Sequence, residues 1–164
     1  MATPDFIREL RRSAGHQLLW LPGVSAVVLD ERDRVLLVRR SDSGAWTLIG
    51  GIPDPGEEPG EAIVREVYEE TAVRVALERV LSVGATPPVD YPNGDRCQYM
   101  SICFLARWTG GTARVNDDES SEVGWFPLDG LPPLDGLQLE RIARARSGEA
   151  ATWFAPPVSE RVSG

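Results

Sequence analysis

Apolar and polar positions alternate along this chain in short runs whose spacing predicts most of its elements. Phe6, Ile7 and Leu10 recur at helical spacing, which predicts a short amphipathic helix over residues 4–14. Residues 23–29 and 35–38 are apolar runs on either side of Asp30-Glu31-Arg32-Asp33, the pattern of two strands joined by a turn. A short strand over 46–49 then leads into Gly50-Gly51. Ile63 and Val67 mark the inward stripe of a helix, which Pro59 suits at its first position because proline's missing N–H would be unpaired there anyway. Glu58 and Glu61 favour the positive end of that helix. Residues 73–83 and 98–108 read as longer strands, the second alternating less cleanly. Residues 122–126 read as a further strand and 138–146 as a C-terminal helix. Strands in mixed order with helices packed on them predict an α/β fold of the α/β/α type with a mixed central sheet.

The segment 86–95, Thr-Pro-Pro-Val-Asp-Tyr-Pro-Asn-Gly-Asp, is rich in turn residues and reads as a loop of a length that often carries function. Three parts are expected: a helix and lead-in over 1–20, one domain over 21–147, and a loosely held tail over 148–164. A chain of 164 residues with 42% hydrophobic and 26% charged residues fits one core.

A net charge of −8 disfavours an extended grip on nucleic acid, which requires a basic face. All 17 basic residues are arginine, which excludes Schiff-base chemistry at a lysine. Arg8, Arg11 and Arg12 before Leu18-Leu19-Trp20-Leu21 imitate a signal peptide, but Asp5, Glu9 and Pro22-Gly23 interrupt the pattern. No apolar run approaches the length of a membrane span. Cys97 and Cys103, six residues apart on one strand, would sit roughly 20 Å from each other, too far to pair. A cytoplasmic setting without membrane contact is therefore expected, and a homodimer is allowed.

The candidate chemistry lies in 51–73. Glu66, Glu69 and Glu70 stand at i, i+3 and i+4 on the predicted helix, where like charges repel by roughly 0.2–0.5 kcal/mol per pair. A hard cation such as Mg²⁺, with Mn²⁺ as an alternative, reverses the sign of that interaction. Gly50, Gly51 and Gly56 allow a compact loop whose backbone can approach a metal or a phosphate.

Gly51, Glu57 and the run Arg65-Glu66-Val67-Tyr68-Glu69-Glu70 stand in a spacing that closely resembles the signature of the Nudix hydrolases. That resemblance implies a three-layer sandwich and cleavage at a pyrophosphate bond. It implies metal ligation by Glu66, Glu69 and Glu70, with Gly51 contributing from the loop, and a brace between Glu57 and Arg65. Two positions depart from the family pattern, Ala72 where glycine is usual and Ile49 where proline is usual. Alanine in a left-handed helix cap costs about 1 kcal/mol.

The catalytic base stays open between Glu69, Glu70 and Glu119 in the acidic loop 116–122, with Glu122 a lesser candidate. Arg39 and Arg40 could meet a substrate phosphate. Trp46, Tyr91, Tyr99 and Trp125 could stack on a base, although aromatics are more often core residues, and His16 reads as structural. Pro88 lies fifteen residues beyond Val73, as in relatives acting on ADP-ribose, and Tyr91 eighteen beyond it, as in those acting on dinucleoside polyphosphates. The partner expected is a small nucleoside diphosphate derivative, ADP-ribose or a nucleotide sugar. A sanitiser of oxidised nucleoside triphosphates and a non-catalytic nucleotide sensor are the alternatives.

Overall fold

The structure, a computed structural model, describes residues 4–91 and 93–156. Helix α1 (Asp5–Ala14) precedes the long strand β1 (Leu19–Leu29), followed by β2 (Val35–Arg40), β3 (Trp46–Thr47) and β4 (Ile49–Gly51). Helix α2 (Pro59–Thr71), β5 (Arg74–Ala85), β6 (Val89–Asp90), β7 (Arg96–Gly110), β8 (Ser120–Phe126), α3 (Gly136–Arg146) and β9 (Trp153–Phe154) complete the described chain.

All strands join one mixed sheet with the main order β3-β2-β1-β7-β5-β9. Strand β1 runs parallel to β7 from Leu19↔Cys97 to Leu29↔Arg107 and antiparallel to β2 and β4. Val24, Ala26 and Val28 of β1 pack with Ala62, Ile63 and Val67 of α2, whereas Val27 and Leu29 pack with Ile142 and Ala145 of α3. Alternate β1 residues thus serve opposite layers, and the result is the α/β/α sandwich expected. Strand β7 is covered on both sides in the same way, Phe104 and Ala106 facing one core and Cys103 and Leu105 the other. A strand buried on both faces has no polar face to alternate with, which explains its ragged sequence pattern.

Three elements differ from the sequence expectation. The strand expected over 46–49 is two, because the chain leaves β2 after Thr47 and joins β1 at Ile49. The loop 86–95 contains β6, which pairs with Arg96 and Cys97 and folds the segment into a short arm. The tail is held in part: Trp153 and Phe154 pair with Ser82 and Val83, and Trp153 stacks 4.0 Å beneath the Arg144 guanidinium. Residues 157–164 of that tail lie outside the described residues.

Helix α1 closes one end of the sheet. Ile7 packs with Leu21, Ile52 and Cys97, and Arg11 donates to the carbonyls of Gly15, Gln17 and Arg96. His16 lies beside Asp95, 3.3 Å away, as part of this attachment. Cys97 and Cys103 are both buried and free.

Candidate active site

Helix α2 presents two kinds of residue on one stripe. Ala62, Ile63 and Val67 enter the core, and Glu66 and Glu70, at the edge of the same stripe, are buried with them. Their partner in the sequence pattern, Glu69, is exposed and meets Arg65 at 3.0 Å. Arg65 also reaches Glu66 at 3.0 Å and binds both carboxylate oxygens of Glu57 at 2.8 Å each. The hydrogen bonds from Arg65 hold the Glu57 carboxyl down at about 2.

Burial pushes the Glu66 carboxyl above its ordinary range. Glu70 is pushed up to about 8, by burial first and then by the negative charges of Glu66 and Asp117. Its carboxylate accepts no hydrogen bond from the described residues.

The helix ends at Ala72 with φ 57° and ψ 16°, the left-handed cap that the family usually gives to glycine. Three carbonyls of the last turn of α2 are pinned by the loop after β7: Arg114 N–H donates to that of Thr71, Asn116 N–H to that of Glu70, and the Asn116 side chain to that of Tyr68. These bonds bring the acidic loop over the end of α2, and Asp117 and Glu119 face the glutamates from it.

Two cavities meet here. The deeper, about 500 Å³, is bordered by Glu70, Arg40, Glu119, Gly50 and Gly51, and extends toward Tyr91, Tyr99, Gln138 and Arg141. The more open one, about 710 Å³, lies along Arg65, Glu66, Glu69, Asp117 and Glu119 beneath the start of α1. Gly50 is forced at the rim: a Cβ there would stand 2.6 Å from the Val24 carbonyl oxygen.

The remaining expected residues divide between the cavity and the scaffold. Arg40 borders the deep cavity, its guanidinium bound in a fork to Asp42. Arg39, one residue earlier and on the other face, pairs with Glu122 across β8, and neither borders either of these two cavities. Trp46 packs edge-on against Phe126 at 4.8 Å in the α3-side core, and Trp125 in the α2-side core. Tyr91 borders the deep cavity with its hydroxyl 2.8 Å from that of Tyr99, whereas Pro88 is exposed and outside it.

Gln138 and Arg141 were not singled out from the sequence. The signal was available: Gln138, Arg141, Ile142 and Ala145 repeat at helical spacing, so two polar residues occupy the inward stripe of α3.

The donor set suits a hard divalent cation in kind, since Glu66, Glu69, Glu70, Asp117 and Glu119 offer carboxylate oxygens. Among the described residues no three acidic side chains already converge at metal-binding separation. Glu69, turned to Arg65, would have to swing inward to join Glu66 and Glu70.

Residues 19–146 match the family model described as the NUDIX domain. The chain belongs to the Nudix family of hydrolases. Human 8-oxo-dGDP phosphatase NUDT18 is 38% identical over 130 residues, which cover 73% of this chain and 38% of that protein. This chain thus spans well under half of the human relative's length. The ADP-ribose pyrophosphatase of Methanocaldococcus jannaschii is 33% identical over 131 residues, covering 77% of this chain and 73% of the relative. The crystal structure of a Streptococcus suis ADP-ribose pyrophosphatase superposes with a TM-score of 0.61 at 28% identity, covering 84% of this chain and 97% of that one. Nudix hydrolases generally use a divalent metal. No described helix of this Nudix protein is long and apolar enough to cross a membrane.

Proposed function

We propose that this Nudix protein hydrolyses the diphosphate bond of a nucleoside diphosphate joined to a further group, with Mg²⁺, or Mn²⁺ in its place, held by the α2 glutamates. The observation that carries this reading is the burial of Glu66 and Glu70, two like charges, at the rim of a cavity of about 500 Å³. Arg65 pairs with Glu66, but Glu70 forms no ion pair among the described residues, and a bound cation would offset its burial. The metal, when bound, neutralises charge on diphosphate oxygens and acidifies a water.

The chain's own residues do the rest. Glu57 and Arg65 brace the loop that delivers Gly51. Arg40, at the cavity mouth, offers guanidinium protons to a phosphate. Glu69, Glu70 and Glu119 are the groups available to accept the proton of the attacking water. Interacting carboxylates titrate together, so substitution rather than a pH profile separates them.

The names of the relatives support the substrate class. One is named for 8-oxo-dGDP and another for ADP-ribose, both nucleoside diphosphate compounds. Of the two loop cues, Tyr91 borders the cavity and Pro88 does not, so the base is better read from the cavity than from the ADP-ribose spacing.

The test is a panel of nucleoside diphosphate conjugates and oxidised nucleoside triphosphates with Mg²⁺, the products separated by chromatography. Cleavage within the diphosphate is expected, releasing a nucleoside monophosphate, with a loss of at least about 100-fold in Glu70→Gln and Glu69→Gln. Tight binding of a conjugate without turnover would replace this reading with a nucleotide sensor.

A further inference from the structure

Arg141 is a buried cation with no counter-ion among the described residues. It is 8% exposed, on the inward stripe of α3, and borders the deep cavity. Its Nη2 donates to Ser101 Oγ at 2.8 Å. Of the guanidinium's N–H donors, one on Nη2 bonds Ser101, and the buried Nε has no acceptor among the described residues. Leaving such a group unpaired is unfavourable by more than a typical hydrogen bond contributes. The arrangement fits a residue whose partner arrives with the ligand.

The surroundings narrow the partner. Leu21, Ile52, Tyr91 and Tyr99 give the cavity that Arg141 borders apolar and aromatic walls. A phosphate is already provided for at the mouth, where Arg40 lies, so the deep end is left to the group carried by the diphosphate. A flat, neutral heterocycle with adjacent acceptors suits apolar walls and an unpaired guanidinium together. Guanine presents O6 and N7 side by side, the commonest two-point target of arginine, whereas adenine places the N6 amino donor beside N7 and would oppose donor to donor. Gln138, one turn earlier, is fixed by bonds to Thr47 Oγ1 and Leu48 N–H and keeps this stretch of α3 against the sheet.

We propose that Arg141 is a specificity-determining residue that reads the O6/N7 edge of a guanine-type base in the deep cavity. The inference rests on the diphosphate-hydrolase reading for the cavity's use, but base recognition itself is measurable without turnover. The base sits on the α3 side of the sheet, and the diphosphate reaches past Gly50 and Gly51 to the glutamates of α2.

The test measures binding of GMP, IMP and AMP by calorimetry, without metal, to the wild type, Arg141→Lys and Arg141→Gln. GMP and IMP, which share O6 and N7, are expected to bind at least about 10-fold tighter than AMP, in line with the discrimination of a bidentate contact. Both variants are expected to erase that ratio, Arg141→Lys despite keeping the charge. Equal affinities of the wild type for IMP and AMP would overturn the proposal even if neither variant folds. A GMP preference unchanged in Arg141→Lys would overturn it as well. A guanine preference with no cleavage of any diphosphate would leave base recognition standing and remove the hydrolase reading alone.

Discussion

Arg65 grips Glu57 with Nε and Nη2, each 2.8 Å from a separate carboxylate oxygen, while its Nη1 touches Glu66 and Glu69 at 3.0 Å. One side chain thus ties the loop before α2 to the glutamates on it. Glu57 also accepts from the Asp54 N–H at 3.0 Å, which closes the loop on itself.

Removing the Glu57 carboxylate should loosen this loop. Glu57→Gln is expected to lower stability by about 1–2 kcal/mol, since the Arg65 fork loses its charged partner. The pair also sets an acid limb. The Glu57 carboxyl stands at about 2 when folded against an ordinary 4.5, so its stabilisation is whole above 4.5 and disappears as pH falls toward 2. Urea unfolding from pH 6 to pH 2 should show a shallower loss in Glu57→Gln than in wild type; parallel curves would show that the pair is not formed.

Glu70 should weaken the metal-free fold. It is buried beside Glu66 and near Asp117, three carboxylates of one sign. Glu70→Gln in chelator is expected to melt about 2–4 °C above wild type at pH 8, the shift corresponding to about 1 kcal/mol in a chain of this size. Adding Mg²⁺ should raise the wild-type melting temperature and leave the variant nearly unmoved. A variant that melts lower in chelator would assign Glu70 a packing role.

Trp46 should behave as a core residue. It packs against Phe126 and borders neither cavity, so Trp46→Ala is expected to cost about 2–3 kcal/mol with KM for the cleaved conjugate unchanged. A raised KM with unaltered stability would return Trp46 to the substrate.

The C-terminal segment should contribute measurably. Arg144 covers the Trp153 ring at 4.0 Å, and Thr152 Oγ1 donates to the Val80 carbonyl at 3.0 Å. Trp153→Ala is expected to lower the melting temperature by about 2–4 °C. No change would mean that β9 is detached in solution.

The elements were legible in the sequence wherever a period or a breaker was local. Pro59 at the head of α2, the Ile63/Val67 stripe and the left-handed Ala72 are all decided within one or two turns of chain. The spacing from Gly51 to Glu70 sufficed for the family, because the Glu57–Arg65 fork is made eight residues apart. For Trp46 and Trp125 the sequence left core and cavity both open: an aromatic's chemistry is visible in sequence, but whether it faces a cavity or a core depends on the strand laid beside it.

Arg39 and Arg40 show the limit most plainly. The sequence presents two equivalent arginines, and the alternation of β2 sends Arg39 to Glu122 on β8 and Arg40 to the cavity rim. The sequence by itself determined the acidic helix, its glycine loop and the chemistry they can hold, since these depend on residue types at short separations. Only the tertiary structure decided that Glu66 and Glu70 are buried while Glu69 is not, that the loop around Asp117 closes over them, and that Arg141 lies at depth with no carboxylate beside it among the described residues. Burial and long-range pairing arise from packing between α2, the sheet and α3, and no local pattern encodes which charge that packing encloses.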